Sequence, residues 1–390
     1  MWFYFGVSFM AMLSMLDMAI FTYIGYTFKV SPIYYSVVAA AWSVTYITGN
    51  KLFSALSDSG KNKDLMLLAF VFISTSMLLF WKSTLVSVTL AYFMHAMAVS
   101  TANLAMSTSI YEIFDSSDWK KYSTFQRILQ NLLRGTTLIV ISSGIINATL
   151  SQVLMLTSAI GALSFFVLPS ISLDFERKLH MLGKNVTDLI GFASTRGILT
   201  TAIENARSME IGTISFMGFS DRHLPRGRIL VSTFLAVAVG DFVFTAMPLL
   251  IKTSVTLSNY WMAQGITGIT VAVAALLINA LLRGDKKIAI AIIAMRGLWL
   301  SLAMPLMYSE NTIVFYLIGM YFLGLAMDAT LFNLYSEASS GYGAHSYFIS
   351  REVGTLTGSL LAGFVLALGV PAAVILIPIL LSIASVIQLI

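Results

Sequence analysis

Six ionisable side chains lie deep inside long apolar stretches of the sequence. They are Asp17, His95, Arg134, Asp241, Arg296 and Asp328. A charged side chain at the centre of a bilayer costs about 2.5–3.5 kcal/mol on insertion scales, so such residues normally face the protein interior and often serve function. Three aspartates against two arginines leave one carboxyl without a fixed cation. Because desolvation disfavours the charged form of such a carboxyl, it is suited to exchange a proton near neutral pH.

We expect Asp17 and Asp241 to be the proton-exchanging carboxyls, with Asp328 as the next candidate. His95 is a fourth, since imidazole titrates near neutral pH. Each has a structural alternative. Asp17 and Asp241 could simply accept hydrogen bonds from hydroxyl groups on neighbouring helices. Asp328 could neutralise Arg296, and a lone histidine within a membrane is often a packing residue.

Polar side chains recur beside these charges at steps of three, four and seven residues, which put them on one face of a helix. The sets are Gln126, Gln130, Arg134 and Thr137; Ser100, Asn103, Ser107 and Tyr111; Tyr321, Asp328 and Tyr335; and Asp241 and Thr245. These faces would be wasted against lipid, so we expect them to line a cavity. The expected ligand contacts are Arg134, Gln130, Asn103, Ser107, Tyr111 and Tyr335. Arg134 either binds an anionic ligand group or pairs with Asp17 or Asp241.

The composition excludes several classes of protein. Of the 390 residues, 58% are apolar and only 11% are charged, against about 25% charged residues in soluble domains. A soluble enzyme, a disordered chain and a nucleic-acid-binding domain are therefore excluded. The absence of cysteine excludes disulfides and thiolate metal sites. The four histidines include no pair at ligand spacing, so we expect neither a metal site nor an enzyme.

The apolar stretches are long enough to be transmembrane helices, each of which needs about 20 residues. Twelve are found, at 3–27, 32–55, 65–81, 85–112, 124–146, 150–172, 229–251, 258–282, 287–306, 311–335, 347–368 and 371–390. They predict an all-α polytopic membrane protein with one long polar interruption. That segment contains an amphipathic stretch, Leu189 to Met209, and no phosphate-binding Gly-rich motif.

The basic residues are distributed unevenly between the connections. Nearly all Lys and Arg residues fall in the connections after the second, fourth, sixth, eighth and tenth runs. Since cytoplasmic connections carry the excess of Lys and Arg, both termini and the long middle segment are predicted to be cytoplasmic. This distribution also accounts for the net charge of +5 without a nucleic-acid partner.

The two halves of the chain resemble each other when they are shifted by 224 residues. The shift carries Asp17 onto Asp241, and it also relates Tyr111 to Tyr335 and Arg127 to Arg351. Internal repeats of this kind are typical of transporter folds. We therefore predict two pseudo-symmetric six-helix halves, 1–172 and 229–390, joined by a linker, 173–228.

One cytoplasmic turn carries a family resemblance. It reads Ser54-Ala55-Leu56-Ser57-Asp58-Ser59-Gly60-Lys61-Asn62-Lys63, which is similar to the Gly-x-x-x-Asp-Arg-x-Gly-Arg-Lys signature of the major facilitator superfamily, with one residue fewer between Asp and Gly. With the topology, the chain resembles that superfamily over almost its whole length. The resemblance implies a cytoplasmic latch formed by Asp58, Gly60, Lys61, Arg127 and Arg351, and a cavity lined by the first, fourth, seventh and tenth helices.

The resemblance implies a secondary active transporter that moves a small organic solute across the cell membrane by alternating access. The buried aspartates favour proton coupling. The alternatives are a uniporter, a sodium-coupled carrier, a transporter-fold sensor or a lipid flippase. We expect a monomer in the bilayer, with no cofactor other than a proton or another coupling ion and no nucleic acid.

Overall fold

A computed structural model describes residues 1–114, 119–145, 149–170, 225–281, 286–306, 309–338 and 344–390. Twelve long α-helices account for nearly all of these described residues, with short turns between them. Their bounds are α1 Trp2–Thr27, α2 Pro32–Asp58, α3 Asn62–Trp81, α4 Leu85–Ile113, α5 Trp119–Ser142, α6 Leu150–Val167, α7 Arg226–Ile251, α8 Leu257–Leu281, α9 Lys286–Ser301, α10 Glu310–Ala338, α11 Ala344–Ala367 and α12 Pro371–Leu389.

Each of the twelve apolar runs coincides with one of these helices, so the predicted fold class is confirmed. The linker predicted at 173–228 lies outside the described residues up to position 224, together with its amphipathic stretch. The last part of it is helical, because α7 already begins at Arg226. The division of the chain into domains at these positions stays a prediction.

Local sequence signals set several helix ends. Pro32 occupies the first turn of α2, where its missing N–H costs nothing, and Ser31 Oγ accepts a hydrogen bond from the Tyr34 amide at 3.2 Å. Thr84 and Ser87 form a reciprocal capping box at the start of α4. Such caps satisfy amide groups that have no partner within the helix.

The ninth run, predicted as one helix over 287–306, is broken in the structure. α9 ends at Ser301, and a separate turn of helix occupies Ala303–Leu306. Pro305 explains the break, because its ring clashes with the carbonyl group four residues earlier, at Ser301, and it has no N–H to donate. The Leu302 amide instead bonds to the Trp299 carbonyl oxygen at 3.1 Å.

The six helices of each half pack on one another, and two pairs of helices join the halves. In the N-terminal half, α1 packs on α4, α5 and α6. In the C-terminal half, α7 packs on α10, α11 and α12. Between the halves, α2 packs on α11 and α5 packs on α8, while α1 also contacts α7 and α8. The space between α1, α7 and these pairs is where a ligand would meet both halves.

Within the residues that the structure describes, seven helices are long and apolar enough to cross a membrane by length and composition alone: α1, α3, α4, α6, α7, α10 and α12. Of the other long helices, α9 has only 16 residues. The remaining four, α2, α5, α8 and α11, are the helices that pair across the two halves. Among these four, α2, α5 and α11 are less apolar than the seven, and several of their polar side chains bond to other helices of the bundle.

α5 and α8 approach each other backbone to backbone at Gly135 and Gly265. A Cβ atom on Gly135 would lie 2.6 Å from the Gly265 carbonyl oxygen, and one on Gly265 would lie 2.7 Å from the Gly135 carbonyl oxygen. Only glycine fits such an approach. The crossing brings Arg134, the neighbour of Gly135 in sequence, to the boundary between the halves.

Candidate functional site

The Asp17 carboxyl group lies in the middle of α1 and is held by a tyrosine from α4. Tyr92 Oη donates a hydrogen bond to Asp17 Oδ1 over 2.9 Å. The Tyr92 ring is 4% exposed and stacks between Phe21 and Trp42, at centroid distances of 5.9 and 6.1 Å. This packing fixes the hydroxyl and therefore the position of the carboxyl.

Arg134 reaches from α5 toward the other half of the protein. Its Nη1 lies 3.4 Å from Ser14 Oγ on α1, and its Nη2 lies 3.6 Å from the position a Cβ atom would take on Gly268 of α8. Its Nε is buried and has no hydrogen-bond partner among the described residues. The charge of Arg134 acts on Asp17, but the two form no ion pair in the described part of the chain. The guanidinium is therefore positioned between the halves and is not neutralised by a close carboxylate.

The polar face predicted on α5 lies against α1. Gln130 Nε2 lies 3.4 Å from the Met10 carbonyl oxygen, and Thr137 Oγ1 lies 4.0 Å from Met12 Sδ. With Arg134 beside Ser14, three successive turns of α5 face the same helix. This part of the face therefore packs within the N-terminal half, and its role in lining a cavity stays a prediction.

The Asp241 carboxyl group on α7 accepts a hydrogen bond from α11. Thr355 Oγ1 donates to Asp241 Oδ2 at 3.0 Å. One turn further along α7, Thr245 Oγ1 donates to Ser359 Oγ at 3.1 Å. Asp17 and Asp241 are equivalent by sequence repeat, but their hydrogen-bond donors come from helices that are not equivalent.

Asp328 on α10 pairs with Arg351 on α11. Arg351 Nη1 lies 3.0 Å from Asp328 Oδ2, and Tyr347 Oη donates to Asp328 Oδ1 at 2.9 Å. The alternative pairing with Arg296 is not formed. Arg296 Nη1 instead donates to the Ala236 carbonyl oxygen on α7 at 2.6 Å, because its side chain lies across Gly240, where there is no Cβ atom to exclude it.

His95 is fully buried between α1 and α4. Its Nε2 lies 2.8 Å from the Leu13 carbonyl oxygen, which can only accept, so Nε2 carries the proton. The ring stacks on Tyr92 at a centroid distance of 6.2 Å. This arrangement is typical of a packing histidine, and the predicted role in proton exchange stays a prediction.

The polar face predicted on α4 packs against α2. Ser100 Oγ donates to Asn50 Oδ1 at 3.1 Å, and Asn103 Nδ2 donates to Tyr46 Oη at 3.2 Å. Ser107 is buried, with 8% exposure, and the side chain of Tyr111 lies outside the described residues. On α10, Tyr335 is buried against Tyr347.

The predicted latch is only partly described. Gly60 has a φ of +70° and turns the chain after α2, and Lys61 is exposed at the start of α3. The side chains of Asp58 and Arg127 lie outside the described residues, and the described acidic partner of Arg351 is Asp328. The latch therefore stays a prediction.

A cluster on α8 and α10 was anticipated only in part, because the sequence analysis identified Tyr321 but neither Gln264 nor Tyr260. Gln264 is fully buried, and its Nε2 donates to Tyr260 Oη at 2.9 Å, while its Oε1 has no partner among the described residues. Tyr321 lies within reach of the charge of Arg134 and of the Gln264 amide. A lone glutamine in the middle of an apolar run was the signal that could have identified it.

Two further polar residues were also missed. Tyr92 looks like one aromatic residue among many, and nothing in the sequence marks its hydroxyl as the partner of Asp17. Glu352 follows Arg351 on α11, and its surroundings include the charges of Asp241 and Asp328. Glu352 lies near the first residue of its apolar run, and a charged residue in that position is normally interpreted as the boundary of a membrane span.

Contacts between the halves concentrate at the end of the bundle where α1, α5 and α7 finish. Trp261 Nε1 on α8 donates to Thr22 Oγ1 on α1 at 2.8 Å, and Ser258 Oγ donates to the Ser142 carbonyl oxygen at 2.6 Å. Phe21 stacks on Phe244 across the same boundary. These contacts close that end.

Toward the opposite end, the side chains of Arg351 and Asp328 are 38% and 35% exposed, although both lie on helices of the bundle.

Sequence comparison finds no protein-family model that matches the chain and no curated protein that matches it. Comparison of the fold, however, matches 242 chains of solved structures. A POT family transporter in complex with a thioalcohol conjugated peptide is 12% identical, with a TM-score of 0.63 over 99% of this chain and 93% of that chain.

Two other matches have different stated substrates. The xylose transporter XylE from E. coli, in a partially occluded inward open conformation, is 10% identical, with a TM-score of 0.63 over 98% of this chain and 95% of that one. The nucleoside transporter NupG is 15% identical, with a TM-score of 0.60 over 98% and 96%. The chain therefore has the fold of the major facilitator superfamily and is a multi-pass membrane protein.

Proposed function

We propose that the protein is a secondary active transporter that moves a small organic solute across the cell membrane by alternating access, driven by protons. The observation that carries the proposal is the Asp17–Tyr92 hydrogen bond beside Arg134, a cation that extends from α5 toward α8 of the other half. The same residues thus offer a proton site and a polar contact at the boundary where the halves must move.

The ionised Asp17 carboxylate and the solute compete for the charge of Arg134. When Asp17 is ionised, its negative charge attracts the guanidinium toward α1. A proton on Asp17 removes that attraction and releases Arg134 to a polar group of the solute. Proton and solute both change the contact that Arg134 makes between the halves. Each therefore binds the inward-open and outward-open conformations with different free energies, and a coupled carrier requires this difference.

The arrangement of contacts fits one state of an alternating cycle. Trp261, Thr22 and the neighbouring aromatic rings close one end, and the exposed Arg351–Asp328 pair lies toward the open one. With the termini assigned to the cytoplasm from the distribution of basic residues, the open end faces the cytoplasm. We infer an inward-open carrier, and the inward open conformation stated for XylE is consistent with this.

The descriptions of the similar structures support a solute of small organic character. Those proteins are a POT family transporter in complex with a thioalcohol conjugated peptide, a xylose transporter and a nucleoside transporter. From these descriptions we infer only that the solute is a small organic molecule. Proton coupling, a monomeric state, and Asp241 and Asp328 as further coupling carboxyls are parts of the same proposal.

The direct test is proton movement driven by a solute. Purified protein is reconstituted in liposomes with a pH-sensitive dye inside and is challenged with amino acids, sugars, carboxylates and cationic drugs, and protein-free liposomes serve as the control. Proton flux with one class of solute supports coupled transport. Solute flux without proton movement would overturn the coupling and indicate a uniporter or a sodium-coupled carrier, and no solute flux at all would indicate a sensor or a lipid flippase.

The closed end provides a second prediction. Trp261→Phe removes the hydrogen bond to Thr22, which is worth about 0.5–1.5 kcal/mol. We expect the population opened at that end to rise about 2- to 10-fold. Ser36 is buried and packs on Gly363 of the other half. Because the sequence contains no cysteine, a Ser36→Cys substitution provides a single thiol, and the rate at which maleimide labels it reports how often this end opens.

Trp299→Phe is the matched control for this experiment. The Trp299 indole donates to the Tyr316 carbonyl oxygen at 2.9 Å within one half, so its loss does not bias the boundary. If Trp261→Phe leaves the labelling rate at the parental value, or if both variants raise it equally, the contact does not hold the end closed.

A further inference from the structure

Six buried side-chain polar atoms lack partners within the described residues, and two of them lie on α5 and α8, the helices that cross at the boundary between the halves. Arg134 Nε on α5 is a donor, and Gln264 Oε1 on α8 is an acceptor. An unpaired buried polar group costs about 1–3 kcal/mol, and more when it is charged. Native structures contain few such groups. An unpaired donor and an unpaired acceptor at the same boundary therefore indicate a ligand that offers an acceptor to Arg134 and a donor to Gln264.

The two side chains lie near the same face of α8. Gln264 and Gly268 are four residues apart on α8 and therefore share one face of that helix, and Arg134 Nη2 lies 3.6 Å from the Cβ position of Gly268. Tyr321 of α10 is near both the Arg134 charge and the Gln264 amide. A small molecule lying along this face of α8 would contact α5, α8 and α10 together.

The charge of the site limits what it can bind. A guanidinium binds carboxylates and phosphates with the same planar arrangement of donors. In the proposed cycle Asp17 carries a proton when solute binds, so the Arg134 guanidinium then has no ionised carboxylate beside it within the described residues. A phosphate dianion would leave an excess of negative charge, whereas one carboxylate balances one guanidinium. A neutral sugar would leave the guanidinium without a counter-charge.

We propose that the transported solute is an organic carboxylate that also carries an N–H donor, as an amino acid does. Its carboxylate accepts hydrogen bonds from the Arg134 guanidinium, and its N–H group donates to Gln264 Oε1. Tyr26 and Tyr260, whose rings stack at a centroid distance of 6.4 Å across the halves, cover its apolar part. This proposal rests on the proposed transport function and names the substrate class of that site.

Binding to the purified protein in detergent tests the proposal separately from transport. The probes are alanine, leucine and phenylalanine, each compared with its amide, which lacks the carboxylate, and with its des-amino acid, which lacks the N–H donor. A charge-assisted hydrogen bond is worth about 1.5–3 kcal/mol, so the amide should bind about 10- to 100-fold more weakly than the best amino acid. Thermal stabilisation over a ligand titration gives the affinities.

Variants assign each end of the ligand. Arg134→Gln should abolish the preference for the acid over the amide. Gln264→Leu should weaken the amino acid but leave the affinity of the des-amino acid unchanged. Thr136→Ala, on the exposed face of α5, is the matched control and should bind like the parent.

Equal binding of acids and amides, or no binding by any member of the panel, overturns the substrate class. Flux in liposomes, measured with the same compounds, separates this proposal from the proposed function. Binding that depends on the carboxylate without any flux would support the substrate class and contradict the transport function. Flux of sugars or amines alone would do the reverse.

Discussion

Asp17→Asn abolishes solute-driven proton movement while solute exchange across the membrane continues. The amide keeps the size of the side chain and an oxygen that accepts from Tyr92, but it cannot release a proton. A carrier fixed in this neutral state still alternates when solute is present on both sides. We therefore expect net proton flux to fall at least 10-fold, to the background of empty liposomes. A loss of that size corresponds to about 1.4 kcal/mol. Exchange of labelled solute should stay within about threefold of the parent.

The controls separate coupling from folding. Asp64→Asn changes an exposed aspartate in the first turn of α3 and should leave both fluxes unchanged. Asp241→Asn, measured in parallel, tests the equivalent position of the second half. A folded Asp17→Asn variant that still moves protons would transfer the coupling role to Asp241 or Asp328.

Gly135→Ala is expected to disable the carrier through the helix crossing rather than through the ligand site. The added Cβ would lie 2.6 Å from the Gly265 carbonyl oxygen, which belongs to a backbone and cannot rotate away. Separating α5 from α8 costs about 1–3 kcal/mol, as for other overpacked interfaces. We expect a lower unfolding temperature and a solute flux reduced at least 10-fold.

Two comparisons make this prediction specific. Gly227→Ala adds the same methyl group where no atom lies within 4 Å, and it should behave like the parent. Gly135→Ala combined with Gly265→Ala should cost less than the two single changes together, because both widen the same gap. A Gly135→Ala protein with parental stability and flux would contradict the close crossing.

The helices were predictable from the sequence because each depends on a local property, the length of an apolar run. The break after Ser301 was also locally encoded, in Pro305, but a reading by hydropathy alone passed over it. Partners across helices were less accessible. Asp328 pairs with Arg351 rather than Arg296 because α10 and α11 bring these side chains together, which no spacing along one helix reveals.

The candidate site shows the same division. Asp17 and Arg134 stand out because charges are rare in apolar runs, and spacing identified one polar face on α5, which lies against α1. Spacing could not determine which neighbour that face meets, so the α4 face was assigned to a cavity when Ser100 and Asn103 in fact bond to α2. Gln264 was overlooked because an uncharged amide in an apolar helix carries a weak signal.

The lower hydropathy of α2, α5 and α11 has a consequence for biosynthesis. A helix that is less apolar partitions into lipid less readily on its own, and each of these three is stabilised by a partner from the other half of the chain. Because the N-terminal half is made first, α2 and α5 emerge from the ribosome well before α11 and α8 exist. During that interval their polar faces must be shielded by other means, so assembly of this protein is completed only after α11 has been synthesised.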